Sequence, residues 1–345
     1  MIKHRRYHKA RQQAWRNPLP KEIAIELTPL CNQDCDFCFN RRSFFKDTRH
    51  ISQLTTEQVK QVIDDMARLG ILDVRFTGGE PLMRKDCIEL MRYAKLKGLS
   101  VMLNTNATLV ATEERAKQIA EHVDSLLVSL ITHDPEKEDK ITKIKNSMHL
   151  RLHGLDLLAK QGIASIRMGT ITTPENIEHF EDLLKIVKEH NVQTWELFRS
   201  VGTPDEIHSI SKEQAQDLVN KILKHDGNGV DIRITTAIPF CVANADDVAK
   251  IAVGGLFDDG HVRMIIDPRG FVKPSYPNDT NLGSPFDLLA AWEHPFQKSM
   301  HNEEFLPERC KPCKFKNRCK GGNRYIANLT NGSFNSEDPL MNGPV

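Results

Sequence analysis

The chain has 345 residues, 39% of them hydrophobic, and its 47 Lys and Arg against 46 Asp and Glu leave a formal charge of +1. That length holds one large domain or two ordinary ones, and the balanced charge excludes a global polyelectrolyte. No run approaches the roughly 18 apolar residues of a membrane span, and the basic opening "MIKHRRYHKARQQAWRNPLPK" lacks the apolar stretch of a secretory signal. The chain therefore reads as soluble and cytoplasmic, where clustered cysteines are expected to be metal ligands rather than disulfides.

In chain order, residues 1–21 form a basic arm with Tyr7 and Trp15 among nine Lys, Arg or His residues. Such an arm either packs on the body of the protein or binds an acidic leader peptide or an RNA backbone through charge. From Glu22 strand-like and helix-like segments alternate. "EIAIELT" reads as a strand and "TTEQVKQVIDDMARLG" as an amphipathic helix. The strand "LDVRFTGG", the helix over "KDCIELMRYAKLKG", the strand "SVMLNTN" and the helix "TEERAKQIAEH" follow. Next come the strand "SLLVSLIT", an irregular connection "HDPEKEDKITKIKNS" and the helix "MHLRLHGLDLLAKQG". The strand "ASIRMGTIT", the helix "ENIEHFEDLLKIVKEH" and the strand "TWELFRS" complete six repeats. This alternation predicts a parallel sheet with right-handed crossovers, and six units suit a partial (β/α)6 TIM-type barrel.

Past residue 228 the alternation fails. The remainder is rich in Gly, Pro, Asn and Asp, with short strand candidates "DIRITT" and "VRMIID" and little to make an apolar core. A small domain of this kind leans on a metal or a neighbour. The expected organisation is a basic arm (1–21), a core barrel (22–228) and a small irregular C-terminal domain (229–345).

Ligands of parallel α/β folds bind at the carboxyl ends of strands. Just after the first strand, "ELTPLCNQDCDFCFNRRS" carries Cys31, Cys35 and Cys38. Thiolates are the usual ligands of iron–sulfur clusters, and a cubane offers four iron corners, so three thiolates leave one iron open to a non-protein ligand. A second triad, Cys310, Cys313 and Cys319, stands in "RCKPCKFKNRCKGGNR", whose Lys and Arg residues have no acid among them. Cationic neighbours of this kind lower thiol pKa values and offset an anionic cluster.

Cys31-x3-Cys35-x2-Cys38 after the first strand, "TGGEP" (77–81) after the second and "TNATL" (105–109) after the third resemble the radical S-adenosylmethionine (SAM) enzymes. The resemblance implies a [4Fe–4S] cluster on Cys31, Cys35 and Cys38 whose open iron chelates SAM. One-electron cleavage of SAM then releases a 5′-deoxyadenosyl radical that attacks an unactivated C–H bond. Phe37 would lie by the adenine. Gly78, Gly79 and Glu80 would contact the methionine end, with Asn106 and Ser129 at the next two strand ends. Where many relatives carry an Asp-Gly pair beyond Ser129, this chain has "LITHDP".

The second triad resembles the C-terminal extension called SPASM and its shorter relative, twitch. The resemblance implies one auxiliary cluster on Cys310, Cys313 and Cys319, its last iron open or closed by Cys241, Asp338 or another group. Ser275, Asn323 and Met341 stand where the full pattern has further cysteines. Cys241, if not a ligand, is a candidate hydrogen-atom donor. The implied substrate is a ribosomal peptide or protein, alternatively a small molecule. Flavodoxin or ferredoxin would be the electron donor. The arm is too short for a peptide-recognition domain, so a peptide would need a separate recognition protein. A different class of reading is a zinc-stabilised nucleic-acid-binding module, with the second triad as a zinc ribbon on a basic surface; a zinc site on the first triad would take His50 or Asp34 as its fourth ligand. Cys87, within a helical pattern, is expected to be a core thiol.

Overall fold

The computed structural model describes residues 19–38, 52–201, 209–225, 229–258 and 260–342. The basic arm with Tyr7 and Trp15, and His50, lie outside the described residues. The first half runs β1 (Glu22–Glu26), α1 (Thr56–Leu69), β2 (Asp73–Thr77), α2 (Cys87–Leu96), β3 (Ser100–Thr105), α3 (Glu113–Ala120) and β4 (Ser125–Ser129). It continues with α4 (Pro135–Thr142), α5 (Ser147–Ala159), β5 (Ser165–Thr172), α6 (Pro174–Glu178), α7 (Phe180–Glu189), β6 (Thr194–Arg199) and α8 (Lys212–Lys224). β7 (Asp231–Ile234), α9 (Ala245–Ile251), β8 (Arg263–Ile266) and β9 (Val272–Lys273) follow, then short helices α10 (Leu288–Trp292), α11 (Pro295–His301), α12 (Lys316–Cys319) and α13 (Arg324–Asn331).

These strands form one sheet in the order β7-β6-β5-β4-β3-β2-β1-β8-β9, parallel throughout except for β9. The α/β fold with its partial barrel is as the alternation predicts. Helix starts follow local chemistry: Thr55 and Gln58 make a reciprocal capping box ahead of α1, and Ser211 and Gln214 do so ahead of α8.

Three local expectations are corrected. Part of "HDPEKEDKITKIKNS" is helical: Asp134 caps the amide groups of Glu136 and Lys137, and Pro135 and Glu136 suit a first turn. The helix over 174–189 breaks at His179, which sits between α6 and α7. Beyond residue 228 the chain does not leave the sheet. β7 pairs with β6, and β8 pairs with β1 from Glu22↔Arg263 to Ile25↔Ile266.

The strands alternate between two different interiors. Ile23, Ile25, Val74, Phe76, Val101 and Leu103 pack against the helices in the main core. Their neighbours Glu26, Arg75, Thr77 and Asn104 instead line a cavity of about 1800 Å³ inside the barrel. Its wall is built from ion pairs: Arg75 grips Glu22 at 2.7 and 3.1 Å, and Arg167 meets Glu196 at 2.8 Å. Lys273, from β9, reaches Glu26 at 3.3 Å.

Candidate active site

The loop after β1 is held from below by the turn after β2. Gly79 N–H donates to Thr28 O at 2.7 Å and Glu80 N–H to Leu30 O at 2.8 Å, immediately ahead of Cys31. The backbones approach so closely that a Cβ on Gly78 would meet Thr28 O at 2.6 Å, and one on Gly79 would meet Leu30 O at 2.2 Å. Gly78 also has φ +144°, a region that disfavours side chains. The tight turn that these glycines make and their place beside the cysteine loop are thus one feature.

Cys31, Cys35, Phe37, Cys38, Gly78, Gly79, Glu80, Asn106 and Ser129 all line the same cavity. The Glu80 carboxylate is buried and accepts from Thr105 Oγ1 (2.7 Å), Leu82 N–H (3.1 Å) and Asn106 N–H (2.8 Å). It thereby ties the ends of β2 and β3 together. Burial raises the Glu80 pKa against the pull of these donors. Asn106 Nδ2 donates to Asn32 Oδ1 at 2.9 Å and points to Cys31 Sγ at 4.0 Å. The Cys35 thiol is pushed up to about 12, first by burial and then by Cys38, with Cys31 adding to it and Arg151 opposing. Three mutually repelling thiols are what a bound metal centre would relieve.

Sequence reasoning missed the support beneath these thiols. Cys35 Sγ lies 3.8 Å from Gln33 Oε1, and Gln33 Nε2 donates to Ser147 Oγ at 3.0 Å. Arg151, with both side chains wholly buried, pairs with Glu138 at 3.0 Å and donates to Ser129 O at 2.9 Å. The signal was present: Arg151 falls on the buried stripe of α5 with Ser147, Gly154, Leu155 and Leu158. An arginine on an apolar stripe marks a buried partner.

The second triad does not line the cavity, although Arg318, Asn323 and Tyr325 from the same segment do. Cys310 is pushed up to about 12 by burial first, then by Cys319, Cys241 and Cys313, against Arg324. Cys319, raised mainly by burial, is also repelled by Cys241. The structure therefore brings Cys241 to the C-terminal thiols rather than to the cavity lining, where a hydrogen-atom donor to substrate would have to be. For Cys310 and Cys319 the lowered pKa expected from the basic neighbours does not hold, because burial dominates, and the cations around them are themselves paired with acids. Glu308 pairs with Lys311, Asp246 with Lys314 at 3.0 Å, and Glu303 with Lys316 (3.5 Å) and Lys320 (3.0 Å). Asp338 is not aimed at the thiols; its carboxylate accepts from Arg199 at 2.8 and 3.2 Å and from Asn323 N–H at 2.8 Å. Ser275, Asn323 and Met341 are buried, and Asn323 caps α13. Cys87 is fully buried at the start of α2, as expected of a core thiol.

None of the eight cysteines forms a disulfide. Among the described residues neither cysteine set draws three sulfurs to within 4.8 Å of one another. Among the described residues no helix is long and apolar enough to cross a membrane.

A parallel partial barrel with three thiols at its mouth, a glycine cradle beside them and a large cavity is the architecture of a barrel enzyme that binds its ligands at the strand ends. Residues 25–187 match the family model of the Radical SAM superfamily. The chain thus carries a radical SAM domain over that span. It is 25% identical to the AdoMet-dependent heme synthase of Nitratidesulfovibrio vulgaris, covering 94% of this chain and 92% of that one. It is 24% identical to the mycofactocin maturase MftC of Mycolicibacterium smegmatis, covering 92% and 81%. The fold matches Streptococcus suis SuiB bound to its precursor peptide SuiA with a TM-score of 0.74 at 16% identity, over 98% of this chain and 79% of that one.

Proposed function

We propose that this protein cleaves SAM at a [4Fe–4S] cluster held by Cys31, Cys35 and Cys38, and modifies an unactivated C–H position of a ribosomal peptide or protein. The observation that carries the reading is the convergence of those thiols with Phe37, Gly78, Gly79, Glu80 and Asn106 on one cavity. When bound, the cluster with SAM supplies one-electron cleavage to a 5′-deoxyadenosyl radical. The chain's own residues do the rest. Gly78 and Gly79 leave room for close backbone approach, and Glu80 presents a carboxylate to a cationic amino group. The Arg151–Glu138 pair holds the cysteine loop through Ser147 and Gln33.

A second cluster on Cys241, Cys310, Cys313 and Cys319 belongs to the same proposal. With four thiolates every iron corner has a protein ligand, and such a centre relays electrons rather than binding substrate. A peptide substrate is supported by the names of MftC and SuiA and by the cavity, which exceeds the roughly 300–1,000 Å³ of ordinary small-molecule sites even though SAM must share it. The heme synthase similarity keeps a small-molecule substrate as the second reading. Flavodoxin or ferredoxin is the proposed reductant, and a separate recognition protein would present the peptide. The first test is anaerobic: reconstituted protein with a strong reductant should release 5′-deoxyadenosine from SAM, and Cys35→Ala should not. Release unchanged in that variant would refute the assignment.

A further inference from the structure

The segment "LITHDP", where this chain departs from the radical SAM pattern, places His133 on the rim after β4. The break between α6 and α7 places His179 beside it, with ring centroids 4.0 Å apart and planes 25° from parallel. Asp182, one turn into α7, sits with its Oδ2 3.1 Å from His179 Nδ1. One donor atom from each of the three lies within 4.8 Å of the other two. The His179–Asp182 contact is a hydrogen bond as it stands; to share an ion, His179 exchanges it for the metal and the stacked rings turn so that their in-plane lone pairs converge.

Two further observations separate this group from an ordinary surface His–Asp pair. Among the described residues His133 Nδ1, sealed from solvent, meets no hydrogen-bond partner, a state native folds avoid unless another ligand is supplied. The two rim segments are also fixed against each other. Asn176 Nδ2 donates to Ile131 O and to Ile171 O, both at 2.9 Å, and Lys137 pairs with Glu175 across the gap. The donors are thus held by a framework independent of their own contacts.

We infer that His133, His179 and Asp182 form a site for a divalent transition metal of the zinc class, bridging the β4–α4 loop to the α6–α7 break outside the cavity. Two imidazoles and a carboxylate suit a borderline ion, and three protein ligands leave a position for water. The site stands apart from the iron–sulfur proposal and does not depend on it.

The test uses holoprotein with its clusters reconstituted, equilibrated with Zn²⁺ and desalted, with zinc counted and its K-edge absorption recorded. Wild type should retain one zinc per chain, with nitrogen and oxygen neighbours and the outer-shell pattern of imidazole. The His133→Ala/His179→Ala variant should lack it. Asp182→Asn, at an exposed position, should bind at least about ten-fold more weakly. Equal zinc in wild type and the double variant, undiminished affinity in Asp182→Asn, or zinc with sulfur neighbours would each overturn the site.

Discussion

At the scale of single residues, Glu80 shows how one carboxylate serves fold and site together. It lies above its ordinary value of 4.5, with burial outweighing the donors. A folded-state value above the unfolded one means its contribution to stability is full below the unfolded pKa and is lost as pH rises through the folded one. Gln at this position does not titrate, and its amide must turn a donor toward the Thr105, Leu82 or Asn106 donors. We expect Glu80→Gln to cost about 1–3 kcal/mol. The gap to wild type should narrow as pH rises above the ordinary glutamate value, as read from denaturant midpoints. Cys241 gives a second prediction. With Ala there, the auxiliary centre loses a ligand, and iron should fall from about eight toward about four per chain on desalting, while 5′-deoxyadenosine release persists. The Cys31–Cys35–Cys38 spacing and "TGGEP" were legible in the sequence because they are local. Cys241 joins Cys310 across about 70 residues, a proximity that no spacing encodes.

At the scale of elements, the cysteine loop has little regular structure of its own and is shaped by what touches it. The turn after β2 sets one side, and α4 sets the other: Asp34 N–H donates to Thr142 O at 2.9 Å, and Lys143 reaches Asp36 at 3.1 Å. Gly79→Ala would drive a methyl group into Leu30 O and push the loop away from the turn. We expect it to lower both cluster loading and SAM cleavage at least about ten-fold, since small displacements at a reacting centre are costly. Iron content and product release should fall together. Strands and most helices were readable from periodicity. The α4 helix was not, because a short polar stretch carries no apolar stripe and only its Asp134-Pro135 cap marks it. The inward charges of the barrel were half legible: "VRF", "IRM" and "WEL" each put an ionisable residue at an alternating position, but the partners sit on neighbouring strands.

At the scale of the whole molecule, the C-terminal third is fastened to the barrel by buried charge as well as by strands. Arg199 at the end of β6 pairs with Asp338 at 2.8 Å, both nearly inaccessible. Arg199→Met would strand a buried carboxylate and should cost about 3–5 kcal/mol, with Arg199→Met/Asp338→Leu recovering much of it. Denaturant midpoints of the two variants decide this. Composition led to the expectation that the last third leans on a metal or a neighbour, but it could not reveal that β8 pairs in the sheet beside β1. That pairing has a consequence for biogenesis. The strand that leads into the first cysteines waits for a neighbour about 240 residues downstream, from Glu22 to Arg263. At ~5–20 residues per second, a ribosome needs roughly 12–50 s to deliver it. Throughout that interval β1 can pair only with β2, and its other edge stays open, an aggregation liability that chaperones would cover during synthesis.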